Sequence, residues 1–251
     1  MTAPLSTPVN GALARAGYSP LMRTVAVVLA AGSGQRFGGE LPKQLQRLAG
    51  RTLIEHSVGA FQDAPGVDAI LLVVSADLAG PVGELLGGRY GKVTGIVEGG
   101  ATRTDSTRRA LAALGDEECD VLFHDAARPL VDQATIAGCV AALATDRAVG
   151  VAIPSSDSIF ETRDGVVTAM PRRDALLRCQ TPQGFRLSVI RRAYQLADAD
   201  PGFAGSAPTD DCGVVLRYLP DVPVRAVPGS ERNLKITYPA DLAIAELLLS
   251  H

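Results

Sequence analysis

The sequence predicts an α/β protein with a doubly wound, mostly parallel, Rossmann-like sheet and one projecting β-hairpin arm. Three observations carry that prediction. Continuous apolar runs recur at strand length, helix-length stretches separate them, and the first run ends in a glycine-rich turn. Apolar runs bounded by turn residues fit strands buried on both faces of a parallel sheet. Their alternation with helices indicates a doubly wound domain.

In chain order, residues 24–31 (TVAVVLAA) form the first strand, followed by runs at 69–74, 93–97, 121–123 and 148–153. The intervening stretches 52–62, 78–86, 104–114 and 132–145 read as helices, and Asp132 is a suitable N-cap for the last. Residues 154–183 break the pattern. Short β-like pieces (SIFETR, VVTAM) flank the turn pair Asp164-Gly165, which predicts a hairpin arm at about 154–178. A hairpin alone is marginally stable, so the arm is expected to pack on a partner. A helix at 188–196, a loop rich in Gly, Ala and Pro, and a final strand and helix complete a single domain over 23–251. Residues 1–22 lack the apolar core of a secretory signal and read as a loose leader.

Composition narrows the function. Hydrophobic residues make up 47% of the 251, enough for a full core, and the net charge of -3 argues against a general nucleic-acid binder. With 4% aromatics and no Trp, stacking platforms for single strands are not expected. No apolar run approaches the ~20 residues of a membrane span. Cys119, Cys139, Cys179 and Cys212 are widely spaced and only three histidines are present, so a zinc site is not expected. Reduced thiols in a cytoplasmic protein fit this composition.

The chemistry concentrates after the first strand, where ligands bind in open α/β sheets. Ala30-Ala31-Gly32-Ser33-Gly34-Gln35-Arg36-Phe37-Gly38 lets backbone N–H groups approach phosphate. Phe37 breaks the dinucleotide pattern Gly-x-Gly-x-x-Gly, and Pro42 before Lys43 breaks the Walker pattern. Arg36 and Lys43 put two cations on one loop, suited to a triphosphate and to the charge on departing pyrophosphate. Solvated charges on a surface turn are the alternative.

The loop AAGSGQRFGGELPKQ resembles the signature of nucleotidyltransferases that activate sugar and polyol phosphates. GGATRTDST (99–107), HDAARPL (124–130), QTPQGF (180–185) and NLKIT (233–237) narrow the resemblance. It is to cytidylyltransferases acting on 2-C-methyl-D-erythritol 4-phosphate and their relatives acting on ribitol 5-phosphate, over about 24–249. The resemblance implies a CTP:polyol-phosphate cytidylyltransferase of the nucleotide-diphospho-sugar transferase fold, giving a CDP-polyol and pyrophosphate. It implies Arg36, Lys43 and Lys235 as catalytic cations, and CTP contacts from Ala30, Ala31, Gly32, Gly34, Gly99, Gly100, Arg103, Ser106 and Ala126. Asp125 would hold Mg²⁺ on the nucleotide phosphates; the alternative is a structural ion pair with Arg128. Ser106 could instead cap its helix, and Lys235, expected on a late strand between Leu234 and Ile236, could be a solvated lysine. His124 is read as a packed residue without chemistry.

The same resemblance implies a homodimer joined through the arm, with Arg128, Ser158, Arg173 and Thr181 on the acceptor. Ser158 stands where the family usually has Thr, which keeps the hydroxyl and loses a methyl. The tail Thr209-Asp210-Asp211-Cys212 and the run Arg217-Tyr218-Leu219-Pro220 look more like the ribitol branch. Ribitol 5-phosphate, a precursor for wall or capsule polymers, is therefore the expected acceptor. Methylerythritol phosphate, of isoprenoid synthesis, is the alternative. A nicotinamide oxidoreductase would share the alternation but not the glycine pattern, and a non-catalytic nucleotide-binding module would not need the four charged positions.

Overall fold

The computed structural model describes residues 22–32, 34, 37–38 and 41–250; the expected leader, apart from Met22, lies outside them. The elements run β1 (Thr24–Ala30), β2 (Arg47–Leu48), β3 (Arg51–Thr52), α1 (Leu53–Gln62), β4 (Ala69–Val74), α2 (Ala79–Leu86), β5 (Val93–Glu98) and α3 (Arg103–Ala113). They continue as β6 (Asp120–Asp125), α4 (Gln133–Leu143), β7 (Ala148–Pro154), β8 (Glu161–Arg163), β9 (Val166–Ala169) and β10 (Leu177–Arg186). The chain ends with α5 (Leu187–Asp198), α6 (Asp211–Tyr218), β11 (Arg225–Pro228) and α7 (Pro239–Leu249).

Seven strands form one sheet in the order β11-β7-β10-β6-β1-β4-β5, all parallel except β10, which is antiparallel to both neighbours. β1 is buried along its whole length. Its alternate residues feed two cores: Val25, Val27 and Leu29 pack with α3, α5 and α6, while Ala26, Val28 and Ala30 pack with α1, α2 and α4. Side-chain alternation along a strand makes that division, and helices on both faces are the doubly wound arrangement. A third small cluster, Leu48, Leu53, Ile236 and Ala245, ties α7 to the β2–α1 region.

Helix starts follow local chemistry. Thr52 and Thr102 begin α1 and α3 as capping boxes with Glu55 and Asp105, and the Asp132 side chain caps α4 through the Thr135 N–H. The hairpin β8–β9 turns at Asp164 and Gly165, both with positive φ, as a two-residue I′ connection requires. No helix among the described residues is long and apolar enough to cross a membrane.

Three expectations need correction. The segment read as hairpin through Gln183 rejoins the main sheet at Leu177 as β10. The stretch between the helix at 188–196 and the final strand is not all loop: Asp210 caps α6 within it. Lys235 is not on a strand; residues 234–237 belong to no strand or helix, and Ile236 N–H donates to Ala127 O at 2.8 Å.

Asp120, at the start of β6, has its carboxyl pushed up to about 6 by burial, which the Arg186 guanidinium 3.4 Å away only partly offsets. Its folded value lies above the unfolded one, so stability is full at low pH and is lost as the pH rises from about 4 through 6. Asp120→Asn is expected to stabilise the fold by about 1–2 kcal/mol at neutral pH and to flatten that slope. Thermal unfolding midpoints across this range check it; an unchanged slope contradicts it.

Candidate active site

The carboxyl ends of β1, β5 and β6 open onto a cavity of about 690 Å³. The expected residues Ala30, Ala31, Gly32, Gly34, Gly100, Arg103, Ser106 and Ala126 line it, together with Lys43, Asp125 and Lys235. Arg36 lies outside the described residues. Gln44 and Thr237, which carry no role in the motif reading, also line it beside the two lysines.

The glycines at the wall are there for space. A Cβ on Gly100 would stand 2.2 Å from the Asp105 Cβ, inside the cap of α3, and one on Gly99 would stand 2.2 Å from the Ala31 Cβ. Gly99 thus packs behind the wall, its N–H donating to Val74 O at 2.7 Å. Gly34 has φ +63° and sits against Lys43, whose Nζ donates to Ile236 O at 3.1 Å. Ser106 is not the helix cap, since Thr102 is; its hydroxyl donates to Thr102 O (3.0 Å) and accepts from Gly100 N–H (3.2 Å).

Asp125 is the electrostatic centre. Its Oδ2 accepts from Lys235 Nζ at 2.7 Å and its Oδ1 from Arg103 Nε at 3.3 Å. The alternative ion pair with Arg128 is not formed: that guanidinium donates to the carbonyls of Asn233 (2.7 Å) and Cys179 (3.3 Å). Burial would raise the Asp125 carboxyl, but Arg103 and then Lys235 outweigh it and hold the group well below the usual carboxylate range. Lys235 reaches the pocket because Asn233 and Ile236 on either side are fully buried. The solvated reading of Lys235 gives way to this contact.

His124 is fully buried, edge-on to Phe61, with its pKa lowered by burial to about 4. Arg128 O can only accept, so His124 Nε2 carries the ring proton and donates to it at 3.1 Å. Nδ1 of the neutral ring then accepts from the Thr181 hydroxyl (3.0 Å), whose oxygen also accepts from Asp125 N–H (3.1 Å). His124 is a neutral structural residue.

Thr181 therefore does not line the cavity: it is 5% exposed and its hydroxyl is spent holding the end of β6. Arg128 and the arm residues Ser158 and Arg173 are not among the lining either, and both arm residues are exposed. Arg173 Nη1 donates to Ser156 O at 3.4 Å. The arm exposes Ile159, Phe160, Val166, Val167 and Met170; Val166 and Val167 lie on β9 and Met170 follows it.

A site of this form can bind a polyanion and stabilise charge developing on phosphate oxygens. Magnesium takes few carboxylates and completes its shell with phosphate oxygens and water. Asp125, the one carboxylate among the described lining residues, fits that demand, and no group of three acidic, His or Cys side chains gathers elsewhere among the described residues.

Known proteins resemble this chain in sequence and in fold. The sequence model of the 2-C-methyl-D-erythritol 4-phosphate cytidylyltransferase family matches residues 24–251. The enzyme of that name from Thermobifida fusca is 53% identical over 90% of this chain and 93% of its own, and that of Cereibacter sphaeroides 44% over 91% and 98%. The crystal structure of 4-diphosphocytidyl-2C-methyl-D-erythritol synthase from Anaerococcus prevotii superposes with a TM-score of 0.80 at 28% identity, covering 92% of this chain and 99% of that one. The bifunctional ribulose 5-phosphate reductase/CDP-ribitol pyrophosphorylase of Haemophilus influenzae is 36% identical over 90% of this chain and 48% of its length. These findings favour the methylerythritol acceptor over the ribitol 5-phosphate expected from the tail. Cys212, the residue of the tail on which the ribitol expectation leaned, is buried, its Sγ 3.8 Å from Val149 O, and is not among the lining residues. The chain belongs to the 2-C-methyl-D-erythritol 4-phosphate cytidylyltransferase family and is a CTP-dependent nucleotidyltransferase.

Proposed function

We propose that the enzyme transfers the cytidylyl group of CTP to 2-C-methyl-D-erythritol 4-phosphate, releasing pyrophosphate, as a cytoplasmic homodimer that uses Mg²⁺. One observation carries the reading: a cavity at the sheet's carboxyl edge holds Lys43, Lys235, Arg103 and Asp125 among the motifs of the family. The relatives named for this acceptor, up to 53% identical, support the choice of substrate.

The acceptor's phosphate oxygen attacks the α-phosphorus of CTP; a new P–O bond forms, the α–β bridge bond breaks, and pyrophosphate leaves with the electron pair. The nucleophile is already anionic, so no general base is required, in keeping with a neutral, buried His124. The chain's part is positioning and charge neutralisation. Lys43 and Arg36 serve the β- and γ-phosphates, and Lys235 serves the α-phosphate and the incoming acceptor phosphate. Arg103, Ser106 and the backbone around Ala30, Ala31 and Ala126 hold the nucleoside. Asp125 would hold Mg²⁺, which when bound neutralises the nucleotide phosphates.

The arm supplies the acceptor side across the dimer: Arg173, with Ser158 nearby, presents a planar fork for the acceptor phosphate. The exposed apolar residues of the hairpin support that placement, because an isolated two-stranded ribbon needs a partner. Mixing Arg173→Ala subunits with Lys43→Ala subunits is expected to restore about half of normal activity in the mixed dimers, which keep one intact site of two, and so about a quarter in a randomly paired mixture. Mixed dimers as inactive as either parent contradict the shared site. CTP supplied with 2-C-methyl-D-erythritol 4-phosphate should release pyrophosphate and CDP-linked product in equal amounts; no product with this acceptor overturns the function.

A further inference from the structure

Arg103 reaches the cavity from the first turn of α3, and its guanidinium is shared between two carboxylates. Nε donates to Asp125 inside the cavity at 3.3 Å, and Nη1 donates to Asp211 behind it at 2.7 Å. Asp211 is fully buried and lies outside the lining, so it touches no ligand in that space. A buried carboxylate of this kind is retained only with a cation and hydrogen bonds to satisfy it. Asp211 has both: its Oδ1 accepts from Tyr194 OH at 2.7 Å, while Oδ2 takes Arg103.

The backbone under Asp211 is clamped as well. Gln183, 2% exposed on β10, accepts through Oε1 from the N–H groups of Asp211 (3.1 Å) and Cys212 (3.2 Å). Its Nε2 donates to Asp210 Oδ2 (3.0 Å), and Asp210 Oδ1 caps α6 at Gly213 N–H (2.8 Å). Every link from β10 to the cavity is thus a buried or half-buried hydrogen bond with good geometry. The two glutamines of the motif Gln180-Thr181-Pro182-Gln183 divide the work. Gln180 Oε1 accepts from Asn233 Nδ2 (3.2 Å) beneath Lys235, and Gln183 holds the Asp211 side.

We propose that Asp211, seated by Gln183 and Tyr194, is a positioning residue that fixes Arg103 for the nucleotide. This rests on Arg103 contacting CTP. Without the Asp211 charge, the guanidinium has Asp125 as its remaining carboxylate partner and folds onto it, competing there with Lys235 and with the metal. Outer-shell partners of a charged group typically contribute about 10- to 100-fold to its function.

The test measures KM for CTP and for the acceptor, kcat and the magnesium half-saturation for Asp211→Asn, Arg103→Ala and the double variant. Asp211→Asn is expected to raise the CTP KM and the magnesium requirement by roughly 10-fold or more, with the acceptor KM unmoved. The double variant should be no worse than Arg103→Ala alone, because the two act as one unit. If Asp211→Asn does not fold, Tyr194→Phe, which removes one bond to Asp211 and no charge, should raise the CTP KM in the same direction. Normal CTP KM in Arg103→Ala overturns the nucleotide contact itself. A raised CTP KM in Arg103→Ala with an unmoved one in the folded Asp211→Asn or Tyr194→Phe enzyme, or additive losses in the double variant, overturns the positioning role.

Discussion

Lys235→Ala is expected to lower kcat by roughly 10²- to 10³-fold, the scale of losing one preorganised donor at a site of developing charge, while the protein stays folded. The ammonium stands 2.7 Å from Asp125 Oδ2 with its side chain 41% exposed, so its loss opens no buried cavity and leaves Asp125 paired with Arg103. The chain that carries it is held independently, by the Ile236 N–H on Ala127 O and by Asn233 Nδ2 on the Thr181 carbonyl at 2.9 Å. What disappears is the cation assigned to both the α-phosphate and the incoming phosphate, so kcat should fall more than the CTP KM rises. Steady-state kinetics with an unfolding midpoint checks this. Turnover within a few-fold of normal would remove Lys235 from the chemistry.

Asp125→Asn is expected to abolish the magnesium dependence and to lower turnover by roughly 10²-fold or more. The substitution keeps the volume of the side chain but removes the only lining carboxylate among the described residues, and a neutral amide is a poor ligand for a hard cation. It also takes away the anion shared by Arg103 and Lys235, leaving two cations side by side. CTP without metal should therefore bind the variant no more weakly than it binds the normal enzyme, while added Mg²⁺ gives no gain. Calorimetric titration of CTP with and without Mg²⁺ reads both effects. A magnesium titration that matches the normal enzyme contradicts the role of Asp125.

The sheet was legible because its central strands announce themselves. β1, β4 and β7 are continuous apolar runs, and in β1 and β4 burial on both faces leaves no polar alternation to confuse them. β10 was missed for the opposite reason: Gln180, Thr181 and Gln183 are buried polar residues, paid for by hydrogen bonds to residues about 30 to 55 positions away, and a window along the chain cannot see those partners. The arm's turn was readable from Asp164-Gly165, whereas the point where the arm rejoins the sheet was not, since a polar strand marks it.

The site divides in the same way. Gly32, Gly34, Lys43, Ser106, Asp125 and Lys235, all legible in motifs, line the cavity. Strand alternation predicts a polar site for Lys235, yet the segment pairs with no strand; Lys235 lines the cavity between buried Asn233 and Ile236. Asp211 was visible only as part of a tail, because its partner Arg103 is 108 residues earlier. The tail that suggested the ribitol branch is packed behind the cavity: neither Asp211 nor Cys212 is among its lining residues.

The most direct test is the initial rate of pyrophosphate release with CTP and Mg²⁺, measured in parallel with 2-C-methyl-D-erythritol 4-phosphate and ribitol 5-phosphate. A methyl branch alone is worth about 1–3 kcal/mol, so a preference of roughly 10-fold or more in kcat/KM is the size a pocket can supply. The account predicts that preference for methylerythritol phosphate. A preference for ribitol 5-phosphate, or equal rates, would contradict the acceptor assignment.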